Sequence, residues 1–203
     1  MRADVVDISS YQAVHDWPAV KNAGIVAVIH KATEGQSLNE KALYSSREQS
    51  ARAAGLLWGA YHFGTSAPVE HQVDNFLLVV DLSRPTLLCL DWEAYPKSQM
   101  TAQQASDFVR LVTQRTGQQV VLYTGSIAKD VHVANPILLA CPLWLAQYSE
   151  RWSAPAGWRG PWLWQYTGDS EGPTPHTIDG ITANNAGNAG LDLSTYCLSL
   201  IHI

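Results

Sequence analysis

The sequence predicts a closed β/α barrel whose last part has lost its helices. Three observations carry that prediction. Short β-like runs alternate with helical stretches over roughly the first 150 residues, the pattern of a parallel sheet with right-handed crossovers. The fourth run has a near-continuous apolar body, Leu87-Leu88-Cys89-Leu90, as a strand covered on both faces requires. After residue 150 the connections turn rich in Gly, Pro and Asn, with no helix-length periodicity. At 203 residues the chain is also shorter than the ~250 typical of a complete eightfold barrel.

The elements follow in order. Residues 5–9 read as the first strand, and 18–23 as a short helix closed by Gly24. Residues 25–31 form a second strand, followed by an amphipathic helix over 39–54 that ends at Gly55. Residues 56–63 are the third strand and 69–80 the next helix. The fourth strand covers 86–93. The clearest helix then begins at Thr101, a good N-cap with Gln104 three positions on, and stops at Gly117. Residues 120–123 and 143–148 are the fifth and sixth strands; 162–166 and 191–196 are the last two.

Composition narrows the function. A chain of this length buries roughly 70% of its unfolded surface and needs no staples. Thirteen basic and eighteen acidic residues give a net charge of −5, which offers no electrostatic footprint for nucleic acid or an anionic membrane. The three cysteines, Cys89, Cys141 and Cys197, lie far apart without paired or zinc-ligand spacing. Cys89 sits in an apolar run and is expected to behave as a small hydrophobe. The start carries acid where an export signal would be apolar, and the longest apolar run is too short for the ~20 residues of a membrane span. A soluble monomer without a visible export signal is expected. Eight Trp and eight Tyr against three Phe favour half-buried surfaces that pair a flat apolar face with a polar edge. An aromatic-lined groove for a neutral, hydroxyl-rich ligand such as a glycan fits that usage, although many of these rings belong to the core.

Working residues of a parallel barrel lie at the carboxyl ends of its strands. Polar residues collect there: Asp7, Lys31 with Glu34, Tyr61 with His62, Asp91 with Glu93, Tyr123, Gln147 with Tyr148, and Gln165 with Tyr166. Asp192 lies in the last strand. The strongest local signal is Leu90-Asp91-Trp92-Glu93. Residues i and i+2 of a strand share a face, so the two carboxylates emerge together, about 6.6 Å apart along the backbone. Burial and mutual repulsion should raise the pKa of one of them. That suits glycoside hydrolysis, which needs a protonated acid for the leaving oxygen and an anion for the oxocarbenium-like centre. A solvent-exposed loop edge or a divalent-metal site remains open for the motif alone.

Taken together, the motifs resemble the glycoside hydrolase family 25 lysozymes, the Chalaropsis-type muramidases of bacteria, fungi and phage endolysins. The resemblance rests on Val6-Asp7-Ile8-Ser9-Ser10-Tyr11-Gln12, Lys31-Ala32-Thr33-Glu34-Gly35, Gly59-Ala60-Tyr61-His62-Phe63 and Leu90-Asp91-Trp92-Glu93. Leu122-Tyr123-Thr124, Leu143-Trp144-Leu145-Ala146-Gln147-Tyr148, Trp164-Gln165-Tyr166 and Gly190-Leu191-Asp192-Leu193-Ser194 complete it. It covers essentially the whole chain, read as one catalytic domain over 1–203. It implies an irregular, flattened, TIM-like barrel that hydrolyses the β-1,4 bond from N-acetylmuramic acid to N-acetylglucosamine in peptidoglycan. Glu93 then matches the general acid and Asp91 its partner, with the substrate's own acetamido group attacking the anomeric carbon. Asp7 and Asp192 match further acids of the groove, Asp7 counted with the catalytic pair. Tyr61, Tyr123, Gln165 and Tyr148 are implied to bind sugar or tune the carboxylates. Lys31 either holds an anionic carboxylate or simply pairs with Glu34.

No cofactor is expected, and the histidines lack the spacing of a metal motif. His62 reads as a hydrogen-bonded structural residue, and Asp179 as a turn former. Trp144 and Trp164 are divided between core and groove. The segment 177–190 is longer than the short turn expected there, and Ser194 stands where Asn is common, which puts the register of Asp192 in question. The alternatives are a non-catalytic glycan-binding module on the same barrel and a chitinase-like hydrolase, whose longer Asp-rich motif is missing here. If the chain is an endolysin, it would wait in the cytoplasm for a holin-type pore; otherwise it would be secreted to the wall.

Overall fold

A computed structural model describes residues 1–130, 134–183 and 190–197. The strands are β1 (Val5–Ile8), β2 (Gln12–Val14), β3 (Ala27–Glu34), β4 (Leu38–Asn39), β5 (Leu57–Phe63), β6 (Leu87–Asp91), β7 (Val120–Thr124), β8 (Leu143–Ala146), β9 (Leu163–Thr167), β10 (Ile181–Ala183) and β11 (Asp192–Tyr196). The helices are α1 (Trp17–Asn22), α2 (Lys41–Ala53), α3 (Val69–Val79), α4 (Ala102–Thr116), α5 (Ser126–Asp130) and α6 (Pro136–Leu139). The main sheet runs β1-β11-β9-β8-β7-β6-β5-β3-β4, and a further pairing of β1 with β3 closes it into a barrel. β4 hangs outside the ring on β3.

The barrel is mixed: its alternating part is parallel, as the sequence predicts, and its last strand is not. β1, β3, β5, β6, β7, β8 and β9 are parallel neighbours. β11 runs antiparallel to both β1 and β9. An antiparallel return needs no crossover and can follow looser chain, whereas β9 stays parallel to β8 by way of a long irregular connection. No helix is described after β8.

Three short strands and two short helices were not foreseen. β2 and β10 pair with each other outside the barrel, so the start of the long 177–190 segment is held against the loop after β1. Residues 184–189 of that segment lie outside the described residues. α6 carries a signal that the apolar run concealed: Asn135 accepts from Ile137 N and Leu138 N, and Pro136 opens the helix. The fourth strand ends at Asp91 and the sixth at Ala146, so Glu93, Gln147 and Tyr148 lie just beyond them.

α4 follows its sequence signals closely. Thr101 Oγ1 accepts from Gln104 N at 3.2 Å, and Gln104 Oε1 accepts from Thr101 N at 3.0 Å. Gly117 ends the helix at φ 71°, left-handed backbone that a side chain would strain. Thr101→Ala should cost about 1 kcal/mol; urea unfolding checks this, and an unchanged midpoint would deny the cap its role.

Strand alternation sorts the core into two layers. Val6, Val28, Ala60, Leu88, Leu90, Leu122 and Trp164 face outward against the helices. Val5, Ala27, Ile29, Cys89, Val121, Trp144 and Leu163 fill the barrel interior. His30 and His62 belong to the outer layer. His62 contacts Thr33 Oγ1 at 2.7 Å and Gln72 Oε1 at 3.1 Å, and stacks on Phe108 at 4.7 Å. Burial lowers its pKa to about 4, so it is a neutral structural residue, as expected. Trp17 opens α1 and packs edge-on against Trp58, with Asp16 capping the helix. Asp179 precedes Gly180 in a turn. No helix among the described residues is long and apolar enough to cross a membrane.

Candidate active site

Continuing the inward positions up each strand changes their chemistry at the rim. In β1 the inward residues are Val5 and then Asp7; in β6, Cys89 and then Asp91; in β9, Leu163 and then Gln165. The interior is apolar below and acidic above. β11 adds to the same rim from the opposite direction. Because it runs antiparallel, its first residue, Asp192, lies level with Asp7, its register partner.

These side chains enclose a cleft of about 210 Å³ lined by Asp7, Tyr61, Asp91, Glu93, Tyr123, Trp144, Tyr148, Gln165, Asp169 and Asp192. An adjoining hollow of about 270 Å³ shares Glu93, Tyr123 and Tyr148 and extends past Gly125 and Gln147. Together they make an elongated groove. Trp92 turns away from it, buried, and donates through Nε1 to Met100 O at 2.9 Å. Asp91 and Glu93 on either side of Trp92 therefore share the groove face, as their spacing predicts.

Eight of the nine side chains expected at the site line the cleft; Lys31 is the ninth. Its ammonium lies 2.5 Å from Glu34 Oε2 and 5.2 Å from the Phe63 ring centroid. From there its charge draws down the pKa of both Asp91 and Glu93. Its ion-pair partner is thus Glu34, the simpler of the two readings, and it reaches the acids through its charge.

Hydrogen bonds fix one wall. Tyr123 Oη donates to Gln165 Oε1 at 2.8 Å and Tyr148 Oη donates to the same oxygen at 3.1 Å, while Gln165 Nε2 donates to Asp7 Oδ2 at 2.9 Å. The Tyr148 ring passes directly over Gly168, where a Cβ would come within 2.3 Å of it, so only glycine leaves room. Trp144 Nε1 donates to Ser194 Oγ at 3.0 Å, and its ring meets Tyr123 edge-on at 4.7 Å. Trp144 thus serves core and cleft at once. Trp164 belongs to the outer layer and donates through Nε1 to Gln147 O at 2.8 Å.

Asp169 is the lining residue that sequence reasoning missed. It sits just after β9 with φ 52°, and its backbone N–H donates to Asp192 Oδ1 at 3.3 Å. A turn residue carries no strand periodicity, so no spacing announced it.

The carboxylates hold protons unusually well. Burial is the main cause in each case. Asp91 is raised further by Glu93 and Asp7, and Asp7 by Asp192 and Glu93. Glu93 is also raised, by burial. Asp192 is pushed to about 7 by burial and the nearby Asp169 charge. Asp91 Oδ1 is buried without a hydrogen-bond partner among the described residues. Among those residues, no three His, Cys, Asp or Glu side chains are grouped to hold a metal ion.

The folded Asp192 carboxyl keeps its proton to higher pH than the unfolded one, so its stabilisation falls as pH rises from about 4 towards 7. Asp192→Asn should therefore gain on the wild type by about 1.4 kcal/mol per pH unit across that window. Urea unfolding at pH 4.5, 5.5 and 6.5 measures the gap; one that stays constant or narrows contradicts the raised pKa.

Comparison with known proteins decides the family. Residues 6–174 match the model of the glycosyl hydrolases family 25. The chain belongs to this family. It is 30% identical over 188 residues to the uncharacterized protein YegX of Escherichia coli, covering 87% of this chain and 65% of that one. The chain thus spans just under two thirds of the length of this relative. Lysozyme M1 of Streptomyces globisporus is 27% identical over 179 residues, 80% of this chain and 60% of the relative. The crystal structure of the bacterial lysozyme from Streptomyces coelicolor superposes with a TM-score of 0.77 at 25% identity, covering 94% of this chain and 90% of the other. The family 25 barrel foreseen from the motifs is the fold of this chain.

Proposed function

We propose that this family 25 chain is a lysozyme, an N-acetylmuramidase that cleaves the β-1,4 bond between N-acetylmuramic acid and N-acetylglucosamine in peptidoglycan. The observation that carries the reading is the acidic rim: Asp7, Asp91, Glu93 and Asp192 converge in one aromatic-walled groove. Four carboxyl groups so placed cannot all be ionised near neutral pH, so the groove holds both proton donors and anions. The similarity to Lysozyme M1 points to the same substrate.

Glu93 is the general acid in this reading. It lies beyond the strand end, is less buried than Asp91, and has the longer reach into the groove. It gives its proton to the glycosidic oxygen as the acetal C–O bond breaks. The carbonyl oxygen of the substrate's 2-acetamido group attacks the anomeric carbon. Asp91 orients that group and offsets the positive charge that develops on it. Water then opens the cyclic intermediate, returning its proton to Glu93. Tyr61 and Tyr148 present ring faces and hydroxyls for the sugar rings, while the buried Trp144 supports the floor beneath them. The reading requires no cofactor, and one copy of the chain provides every group named.

Digestion of purified peptidoglycan tests the proposal. Turbidity should fall, and the released fragments should carry muramic acid at their new reducing ends. Glucosamine reducing ends would indicate the chitinase-like bond choice. Binding without release would indicate a glycan-binding module.

A further inference from the structure

Gln165 is 1% exposed in β9, with its side chain turned into the barrel. A carboxamide offers one oxygen with two lone pairs and one NH2 with two hydrogens. Here the oxygen accepts from Tyr123 Oη at 2.8 Å and from Tyr148 Oη at 3.1 Å, which uses both lone pairs. The NH2 is left facing Asp7, and donates to Oδ2 at 2.9 Å. The reverse orientation would set the amide oxygen against a carboxylate oxygen. An ionised Asp7 and this amide orientation therefore support each other.

Asp7 needs such a donor. The carboxyl groups of Asp192, Glu93 and Asp91 all act on it. The neutral titratable groups nearby are the Tyr61, Tyr123 and Tyr148 phenols and the Cys89 thiol. Burial and the acidic neighbours oppose a charge on Asp7, and the bond from Gln165 is the largest influence that favours one.

We propose that Gln165 is a positioning residue rather than a sugar contact: clamped by the hydroxyls of Tyr123 and Tyr148, it aims its amide at Asp7 and fixes that carboxylate in one orientation beneath the cleft. The catalytic consequence rests on the lysozyme reading; the link from Gln165 to Asp7 does not depend on the substrate.

The test is a carboxyl-carbon NMR titration of Asp7, assigned with Asp7→Asn, in the wild type and in Gln165→Met, which keeps length without a donor. The Asp7 midpoint should rise by at least about one pH unit, a tenfold loss of ionisation. On soluble peptidoglycan fragments, kcat should fall at least about tenfold with the acid limb of its pH profile displaced upward, while KM stays within about twofold. The double variant Tyr123→Phe with Tyr148→Phe, which frees the amide oxygen, should move Asp7 in the same direction by less. An unmoved Asp7 midpoint overturns the proposal, and so does a raised KM at constant kcat. If Gln165→Met fails to fold, the double variant decides by the same titration. A wild type inactive on peptidoglycan would sink the lysozyme reading and leave the titration valid.

Discussion

Glu93→Gln reduces turnover of peptidoglycan by about 10²–10⁴-fold, the range expected when a general acid is lost, and leaves glycan binding largely intact. Glutamine keeps the size and hydrogen-bonding reach of the side chain but has no proton to give. Fold is not at stake, because Glu93 follows the end of β6 and no strand pairing depends on it. Its environment suits the role. Burial raises its pKa, so the acid form persists, while Lys31 draws it down and keeps the proton available for transfer. Reducing-end release gives kcat, and sedimentation with insoluble peptidoglycan gives binding. A variant retaining more than a tenth of the wild-type rate would remove Glu93 from the assignment.

Asp91→Asn lowers kcat by about 10²–10³-fold, the loss seen when one preorganised electrostatic stabiliser is removed, yet makes the protein more stable at pH 7. Opposite signs are expected because the site is costly to build. Asp91 is 7% exposed, has a buried oxygen without a hydrogen-bond partner among the described residues, and is repelled by Glu93 and Asp7. Its folded pKa is raised, so stability drops as pH climbs above the ordinary carboxylate range. An uncharged isostere escapes that loss and should gain at least about 1 kcal/mol, one pKa unit being 1.36 kcal/mol. Thermal melts at pH 7 beside kcat at the same pH test both halves. A variant that loses activity and stability together would show that Asp91 is needed to hold the fold, and its electrostatic role would fall.

Several parts of the molecule are legible in the linear order of residues because the physics behind them is local. Thr101, Gln104 and Gly117 mark the ends of α4 through bonds that span only a few positions. The pairing of Asp91 with Glu93 on one face follows from the alternation of a strand, whichever fold receives it. Other parts were beyond that reach. β2 and β10 are three residues each and lie in distant parts of the chain, so neither looks like a strand until the other lies beside it. Asp169 enters the cleft from a turn, through a bond to Asp192 across 23 positions.

The amino-acid order alone determined the strand and helix alternation, the apolar lower and acidic upper ends of the inward positions, and the motifs that mark family 25. Those properties depend on periodicity and residue type, which the chain carries before it folds. Tertiary structure alone decided that β11 runs backwards, and so that Asp192 reaches the rim from the start of its strand rather than the end. It also decided that Gln165 directs its amide to Asp7 and two tyrosines, and that Lys31 pairs with Glu34 outside the cleft lining. Each of these depends on which strands close the barrel and in which direction, a choice made by long-range pairing and burial rather than by any local run of residues.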